Sequence, residues 1–343
     1  MSDRGLIFVT GGNGFIGSRV VRRLVEQGYR VRCLLRQTSK TDRIDDLTFE
    51  RFIGDVRDQA SLTEGMQGAT GCIHLASISA WEQMDSDDLE ETVIQGTEYV
   101  MEAALAAGKV RTVFVSSILG INGTDDPRLM TEEEPFGLED TPLRYAVAKH
   151  KAEERVRRYV AEQGLEAVIV NPCEVYGPED TGLITACNLI DFINGWPALT
   201  LRGGTAIVHV DDVAQAMVAA LEKGQPGHRY ILGGDNLTLD ELARLTLEIA
   251  GKPNKTIVRL PVGPVRAVVR ALAAMKLPTP VVPQVLDYAR YYYFVDHTKA
   301  RTELGFDPRP AREVLAPTIA WLAESGLVKG VTVAADGPTA PRV

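Results

Sequence analysis

The stretch "VTGGNGFIG", residues 9–17, constrains this chain more than any other. Gly11, Gly14 and Gly17 stand in G-x-x-G-x-x-G spacing, directly after the apolar run Leu6–Thr10 and before an amphipathic pattern over Phe15–Gln27. Each glycine answers a separate need. The first permits a tight turn, the second lets backbone approach a pyrophosphate, and the third lets helix pack on strand. The start of the following helix offers N–H groups without intrahelical partners to an anionic phosphate. A strand before the loop and a helix after it separate a dinucleotide site from a mere turn. Asn13, Phe15 and Ile16 belong to the same cradle and join the glycines as candidate cofactor contacts.

The pattern that begins there continues. Short β-branched runs at Val31–Leu35, Phe49–Ile53, Cys72–Leu75, Thr112–Ser116 and Ala167–Asn171 alternate with helical patterns at Ser61–Met66, Asp88–Ala107 and Tyr145–Gln163. Nearly all-apolar strands alternating with helices predict an α/β chain with a doubly wound parallel sheet covered on both faces. After about Pro172 the loops lengthen and short helices dominate, such as Asp211–Glu222 and Thr238–Ala250, the latter opening with Thr238 and Glu241 in capping-box spacing. Residues 1–172 are therefore read as a dinucleotide-binding domain with a soft boundary, since later segments return to its sheet. Residues 173–330 form mainly a smaller, mostly helical substrate-binding lobe, and 331–343 a frayed tail.

Composition narrows the class. With 343 residues, 45% of them hydrophobic and 24% charged, the chain reads as a soluble globular protein with a real core. A net charge of −9 argues against nucleic acid or an anionic membrane as the main partner. Cys33, Cys72, Cys173 and Cys187 have no metal or C-x-x-C spacing and read as reduced thiols of a cytoplasmic protein. The N-terminus shows no cleavable signal pattern, and no apolar run reaches the ~20 residues of a membrane span.

Two further stretches bear on the cofactor. A free ribose 2′-hydroxyl calls for an acid at the end of the second strand; "CLLRQTSK" has Leu35 there, then Arg36, with Lys40 close behind. An arginine forks onto a 2′-phosphate, so NADP(H) is favoured, with NAD(H) as the alternative. The third strand ends in "GDVRD", where Asp55 is placed to accept from the adenine amino group and Val56 to pack on the ring.

"RYAVAK", residues 144–149, puts Tyr145 and Lys149 four apart, one helical turn, on one face. A phenol beside an ammonium group ionises more readily than free tyrosine. Such a pair also occurs on ordinary solvated helices, and only its setting decides.

With the glycine loop, "GDVRD", "IHLAS", "VFVSS" and "YAVAK" in this order, the chain resembles the extended short-chain dehydrogenase/reductase family, which includes NAD-dependent epimerases and dehydratases. "NPCEVYGPED", "IVHVDDVA" and "RYILGGDNLTLDEL" extend the resemblance from about residue 5 to residue 325. It is closest to the branch of dihydroflavonol reductases, 3β-hydroxysteroid dehydrogenases and hopanoid-associated epimerases. The resemblance implies that Tyr145 is the general acid/base at a carbonyl oxygen. Lys149 would bind the nicotinamide ribose and lower the phenol pKa, and Ser117 would hydrogen-bond the same oxygen, with Ser116 as the fallback. It implies that Leu75, Ala76 and Ser77 line the ribose and pyrophosphate, and that Pro172 and the backbone through Val175 meet the nicotinamide. Glu174 is a pocket acid or a solvated loop residue. His209 fits the family pattern and reads as structural rather than catalytic, while remaining a substrate-side candidate.

Two departures from the family stand out. Val93 in "VIQGT" occupies the place of an asparagine that helps to order the site. Thr205 stands near the place of an arginine that holds the diphosphate of nucleotide-sugar substrates, and Arg202 is displaced. The apolar stretch 260–286 is a helix packed on the second lobe or an entrance for an apolar substrate that touches a membrane surface. Trp81 and Met84 are placed at the same mouth, and the tyrosines of "DYARYYYFVD" mostly in the core. The expected function is an NADP(H)-dependent oxidoreductase of a fairly apolar carbonyl or secondary alcohol, with no metal. The alternatives are a sugar-nucleotide epimerase or dehydratase and a redox-sensing NADP-binding protein. The resemblance also implies a homodimer through Asp88–Ala107 and Tyr145–Gln163.

Overall fold

The computed structural model describes residues 4–78, 83, 86, 88–275, 277 and 283–332. In chain order it begins β1 (Leu6–Thr10), α1 (Phe15–Glu26), β2 (Arg30–Leu35), β3 (Glu50–Ile53), α2 (Gln59–Gly65) and β4 (Gly71–His74). A helical run follows, from α3 (Asp88–Glu90) through a π-helical turn (Glu91–Gln95) into α4 (Gly96–Ala106). Then come β5 (Arg111–Val115), α5 (Arg144–Gln163), β6 (Ala167–Pro172), β7 (Glu174–Tyr176), α6 (Ala186–Asn194), β8 (Ala198–Thr200), β9 (Gly204–His209), α7 (Val210–Lys223) and β10 (Arg229–Leu232). The chain continues with β11 (Asn236–Thr238), α8 (Leu239–Ile249), β12 (Ile257–Arg259), α9 (Val262–Ala274), α10 (Pro283–Tyr288), β13 (Tyr292–Tyr293), α11 (Thr298–Leu304) and α12 (Ala311–Glu324).

The main sheet has seven parallel strands in the order β10-β6-β5-β4-β1-β2-β3. Strand β10 thus comes back to the sheet from beyond residue 172. Side chains of a strand alternate between faces, and the two faces bury different sets. Phe8, Cys72, Phe114 and Ile169 pack on one face with α4 and α5 residues such as Val100, Met101, Ala148 and Ala152. Ile7, Val9, Ile73, Val113 and Val168 pack on the other with Val20, Val21 and Leu24 of α1 and Val213 and Met217 of α7. The inner strands β1, β4, β5 and β6 are buried on both faces and therefore run mostly apolar, whereas the edge strand β3 is largely exposed.

After β1 the chain winds outward through β2 and β3, then returns to lay β4 on the other side of β1. That reversal opens a crevice at the C-terminal strand ends, where ligands bind in open α/β sheets. A smaller sheet, β11-β9-β13 with β7 on β9, and the pair β12-β8 stand beyond it. They pack with α6, α8 and α12 around a third core that includes Tyr176, Leu189, Leu242 and Ile319. Helix α8 starts with the anticipated capping box between Thr238 and Glu241. No helix among the described residues is long and apolar enough to cross a membrane.

Candidate active site

One cavity of about 1180 Å³ runs from the glycine loop, across the strand ends, to the small sheet and α9–α10. Its size exceeds the ~300–1,000 Å³ of a typical small-molecule pocket, as two ligands side by side require. Gly11, Asn13, Gly14, Phe15, Ile16, Gly17, Arg36, Asp55, Val56, Leu75, Ala76 and Ser77 all line one end. Ser116, Ser117, Tyr145, Lys149, Pro172, Glu174 and Val175 line its middle. Trp81 and Met84 lie outside the described residues.

The glycine loop fits a dinucleotide on its own geometry. Gly11 has φ +71°, and a Cβ there would lie 2.8 Å from the Ala76 backbone nitrogen. A Cβ on Gly17 would lie 2.0 Å from the Gly11 carbonyl oxygen, so the close approach is to the turn rather than to the strand. Gly14 caps α1 without any side-chain cap, and the first turn of α1 carries no acid. The Gly14 N–H donates to the Gly11 carbonyl at 3.1 Å, but the following first-turn N–H groups have no intrahelical acceptor, the donor set a pyrophosphate takes. Asn13 steadies the loop by donating to the Lys40 carbonyl at 2.9 Å.

The adenosine end differs from expectation in two details. Arg36 lines the cavity with Ser39, whose hydroxyl accepts from the Arg36 backbone N–H at 3.0 Å. Lys40 does not line it; the lysine reaches the site only through that carbonyl to Asn13. Asp55 is in place, but both its oxygens accept from Arg57 at 3.1 Å. Those bonds hold its carboxyl below the ordinary range, as an acceptor that an adenine amino group would share with Arg57.

At the centre, α5 delivers Tyr145 and Lys149 from one face, 7% and 2% exposed. Burial pushes the Tyr145 phenol up to about 12, and a hydrogen bond with Ser77 opposes this. The Lys149 ammonium donates to the Val115 carbonyl at 2.9 Å and lies 5.8 Å from the Tyr145 ring centroid. Burial pushes Lys149 itself down to about 8, against the raising influence of Glu153. A neutral phenol beside a cationic amine is an arrangement for giving a proton. Both serines line the cavity, and they differ in their hydrogen bonds. Ser116 donates to Glu153 at 2.5 Å, away from the reacting centre, whereas Ser117 caps the turn Ile118–Gly120 through Leu119 N and keeps its hydroxyl proton free of those bonds.

His209 is corrected from the substrate-side candidates. It does not line the cavity; its Nδ1 caps α7 by accepting from Asp211 N at 3.2 Å and meets Arg309 Nη1 at 2.9 Å. Glu174 is a pocket acid, half-buried, with Oε1 accepting from Tyr176 OH at 2.6 Å and Asn188 Nδ2 at 2.7 Å. Burial raises its carboxyl. Arg202 turns away and donates to the Asp125 carbonyl at 2.8 Å, so no shifted loop delivers it to the cavity. Tyr288, Tyr291 and Tyr293 are buried, as core residues are, and also wall the cavity. Leu260, Val265, Val285 and Leu286 line it too, so the stretch 260–286 contributes to the wall. Among the described lining residues the cations are Arg36, Arg57 and Lys149, and none belongs to the end formed after Val175.

The sequence reading missed what stands behind the site. His74, pushed down to about 3 by burial and by Lys149, bridges Thr10 Oγ1 at 2.7 Å and Thr97 Oγ1 at 3.1 Å. Thr97 in turn donates to the carbonyl of Val93 at 2.6 Å. Val93 itself is buried, and it is Asn171 that reaches the site, donating to the Ser117 carbonyl at 2.8 Å. Its neighbour in sequence, "NP" at the end of a strand, gave no local sign of this.

Known proteins share this framework. Residues 7–233 match the NAD dependent epimerase/dehydratase family. The chain is 32% identical to a putative dihydroflavonol 4-reductase of Synechocystis over 335 residues, covering 94% of this chain and 96% of that one. It is 28% identical to sterol demethylase protein B of Methylococcus capsulatus, covering 93% and 99%. The crystal structure of a nucleoside-diphosphate-sugar epimerase from Pseudomonas aeruginosa superposes with a TM-score of 0.76 at 25% identity, covering 95% of this chain and all of that one.

Proposed function

The chain belongs to the NAD-dependent epimerase/dehydratase family, and within it we propose an NADP(H)-preferring reductase of a fairly apolar ketone or aldehyde. The observation that carries this reading is the absence of any cationic side chain, among the described residues, from the cavity beyond Val175. A nucleotide sugar brings a diphosphate that would find there Glu174 and Asp191 but no arginine. An apolar substrate finds Leu199, Leu201, Leu260, Val265 and Tyr291, and is held by burial at about 25 cal/mol per Å². The names of the Synechocystis and Methylococcus relatives support a redox role and a hydrophobic substrate class.

In this reading the glycine loop and the α1 N-terminus hold the pyrophosphate, Arg36 the 2′-phosphate and Lys149 the nicotinamide ribose. A bound reduced nicotinamide supplies the hydride. Ser117 donates a hydrogen bond to the substrate carbonyl oxygen and orients it. Tyr145 gives that oxygen its proton as negative charge develops, so the carbonyl becomes an alcohol and the phenol a phenolate. Lys149 stabilises the phenolate until it is reprotonated. A phenol that burial keeps neutral at pH 7 favours this reductive direction.

Nicotinamide absorbance separates the readings. Stoichiometric NADPH oxidation with an apolar ketone or aldehyde, and weak or no binding of UDP-sugars, is the expected result. Protein that retains its cofactor and interconverts two sugar-nucleotide epimers without net absorbance change would replace this reading with the epimerase one.

A further inference from the structure

On α5, Tyr145 and Lys149 are followed at the same four-residue spacing by Glu153. Its side chain is 0% exposed, rare for an acid, and it lies behind the site rather than in the cavity. Oε1 accepts from Ser116 Oγ at 2.5 Å and Asn171 Nδ2 at 2.6 Å. Oε2 meets Arg229 Nε at 2.7 Å and Arg157 Nη2 at 3.1 Å. Three of these contacts are hydrogen bonds from donors and the fourth is an ion pair with Arg229. Burial raises the carboxyl, and Arg229, Ser116 and Asn171 oppose it, the surroundings of a carboxylate rather than of a carboxylic acid.

The same donors touch the reacting centre. Asn171 Nδ2 also bonds the Ser117 carbonyl at 2.8 Å, and Ser116 is the residue immediately before Ser117. A Cβ on Gly120 would lie 2.9 Å from both Glu153 Oε1 and Ser116 Oγ and 3.3 Å from Lys149 Cβ. Acid, serine and lysine therefore close on one point with no room for a methyl group.

We propose that Glu153 is a positioning residue of this site: its buried carboxylate fixes the Ser117 backbone through Asn171 and Ser116, and its charge holds Lys149 as the ammonium that binds the cofactor. The proposal rests on the reading that Ser117, Tyr145 and Lys149 serve a nicotinamide cofactor. The charged and titratable groups around Lys149 come from several elements. They are His74 on β4, Tyr145 and Glu153 on α5, and, against Glu153, His150 and Arg157 on α5 and Arg229 on β10. Further along α5, Arg158 and Tyr159 bond Glu98 and Glu102 of α4. Glu153 favours the charged lysine, while burial opposes it. A buried ion pair can also be no more than a staple of the fold, and the test must tell the two apart.

Wild-type protein is first titrated with NADPH and NADH from about pH 6 to 10, following nicotinamide fluorescence. If neither dinucleotide binds, the cofactor reading fails and the role of Glu153 with it. Given binding, Glu153→Gln should move the alkaline loss of affinity down by about one pH unit and lower kcat about tenfold. Ser116→Ala keeps the carboxylate, so it should lower kcat while leaving that pH limb where it was. If Glu153→Gln does not fold, the double variant Glu153→Gln/Arg229→Met removes both buried charges and should show the same downward shift. Loss of melting temperature alone, with limb and kcat unchanged in the variant that folds, would make Glu153 a staple and overturn the proposal.

Discussion

The two ends of the cavity are built from different materials. The cofactor end consists of backbone and short polar groups: Gly11, Gly14 and Gly17, an uncapped helix start, and the cations Arg36 and Arg57. The other end consists of bulky side chains such as Leu260, Val265, Leu286 and Tyr291, with acids but no cation among the described residues. In the proposed reading one end takes phosphate, whose charge needs fixed donors, and the other offers apolar area. Trp196, 79% exposed, and Leu199, 49%, carry the apolar surface of that second end out to the solvent. Tyr145, Ser117 and Lys149 stand where the two meet. In the proposed reading, binding energy at either end would be spent on bringing a carbonyl and a cofactor to the same three side chains.

The largest effect should come from that junction. Tyr145→Phe keeps the ring and its packing but removes the proton, so kcat should fall at least about 100-fold with cofactor affinity nearly unchanged. Steady-state turnover and a fluorescence titration of NADPH measure the two quantities. Near-normal turnover would break the assignment of chemistry to the junction.

The cofactor end is tested next. Arg36→Ala should weaken NADPH more than NADH, shifting preference by about ten- to hundredfold, the worth of one charge-assisted contact of roughly 1.5–3 kcal/mol. Equal weakening of both, or a wild type that prefers NADH, would remove the phosphate-reading role from that end.

Much of the cofactor end was legible in the sequence because it is local. Three glycines within seven residues and a Tyr and Lys one turn apart are patterns in consecutive positions. The strands were legible for a related reason: a sheet dry on both faces forces unbroken apolar runs. The substrate end is assembled from α6, β8–β9 and residues 260–293, far apart in the chain. No spacing rule brings Thr205, Asn188 and Tyr291 together before the fold does. Glu153 is an intermediate case. Its periodicity with Tyr145 and Lys149 is visible along α5, but its partners Asn171 and Arg229 arrive from β6 and β10. Lys149 shows a different limit: its neighbour in sequence was evident, but its pull toward the Val115 carbonyl was not.

A pH series sharpens the contrast further. Burial depresses Lys149 to about 8, so its charged form dominates below that value and is lost above it. Cofactor affinity should therefore be level at neutral pH and weaken about tenfold per unit above about pH 8. The Tyr145 phenol, held up at about 12, stays protonated across this range and should not contribute to that limb. A flat affinity profile to pH 10 would mean that the ammonium of Lys149 does not hold the cofactor.

The smallest effect should come from a residue that belongs to neither end. His209 lies in a sequence signature yet points away from the cavity, capping α7 and meeting Arg309. His209→Ala removes one cap acceptor, costing about 1 kcal/mol of stability, a melting shift of a few degrees for a chain this large. Turnover and both cofactor affinities should stay within about twofold. The stability has a pH signature as well. Burial, and then Arg309, push His209 down to about 4 from its ordinary 6.5, so the folded state binds fewer protons than the unfolded one between those values. The contribution is complete above about 6.5 and is lost as pH falls toward about 4, and His209→Ala should flatten the melting profile in that window. A large loss of turnover at unchanged stability would instead bring His209 back to the substrate end, and with it the view that the signature reports chemistry rather than the seating of a helix.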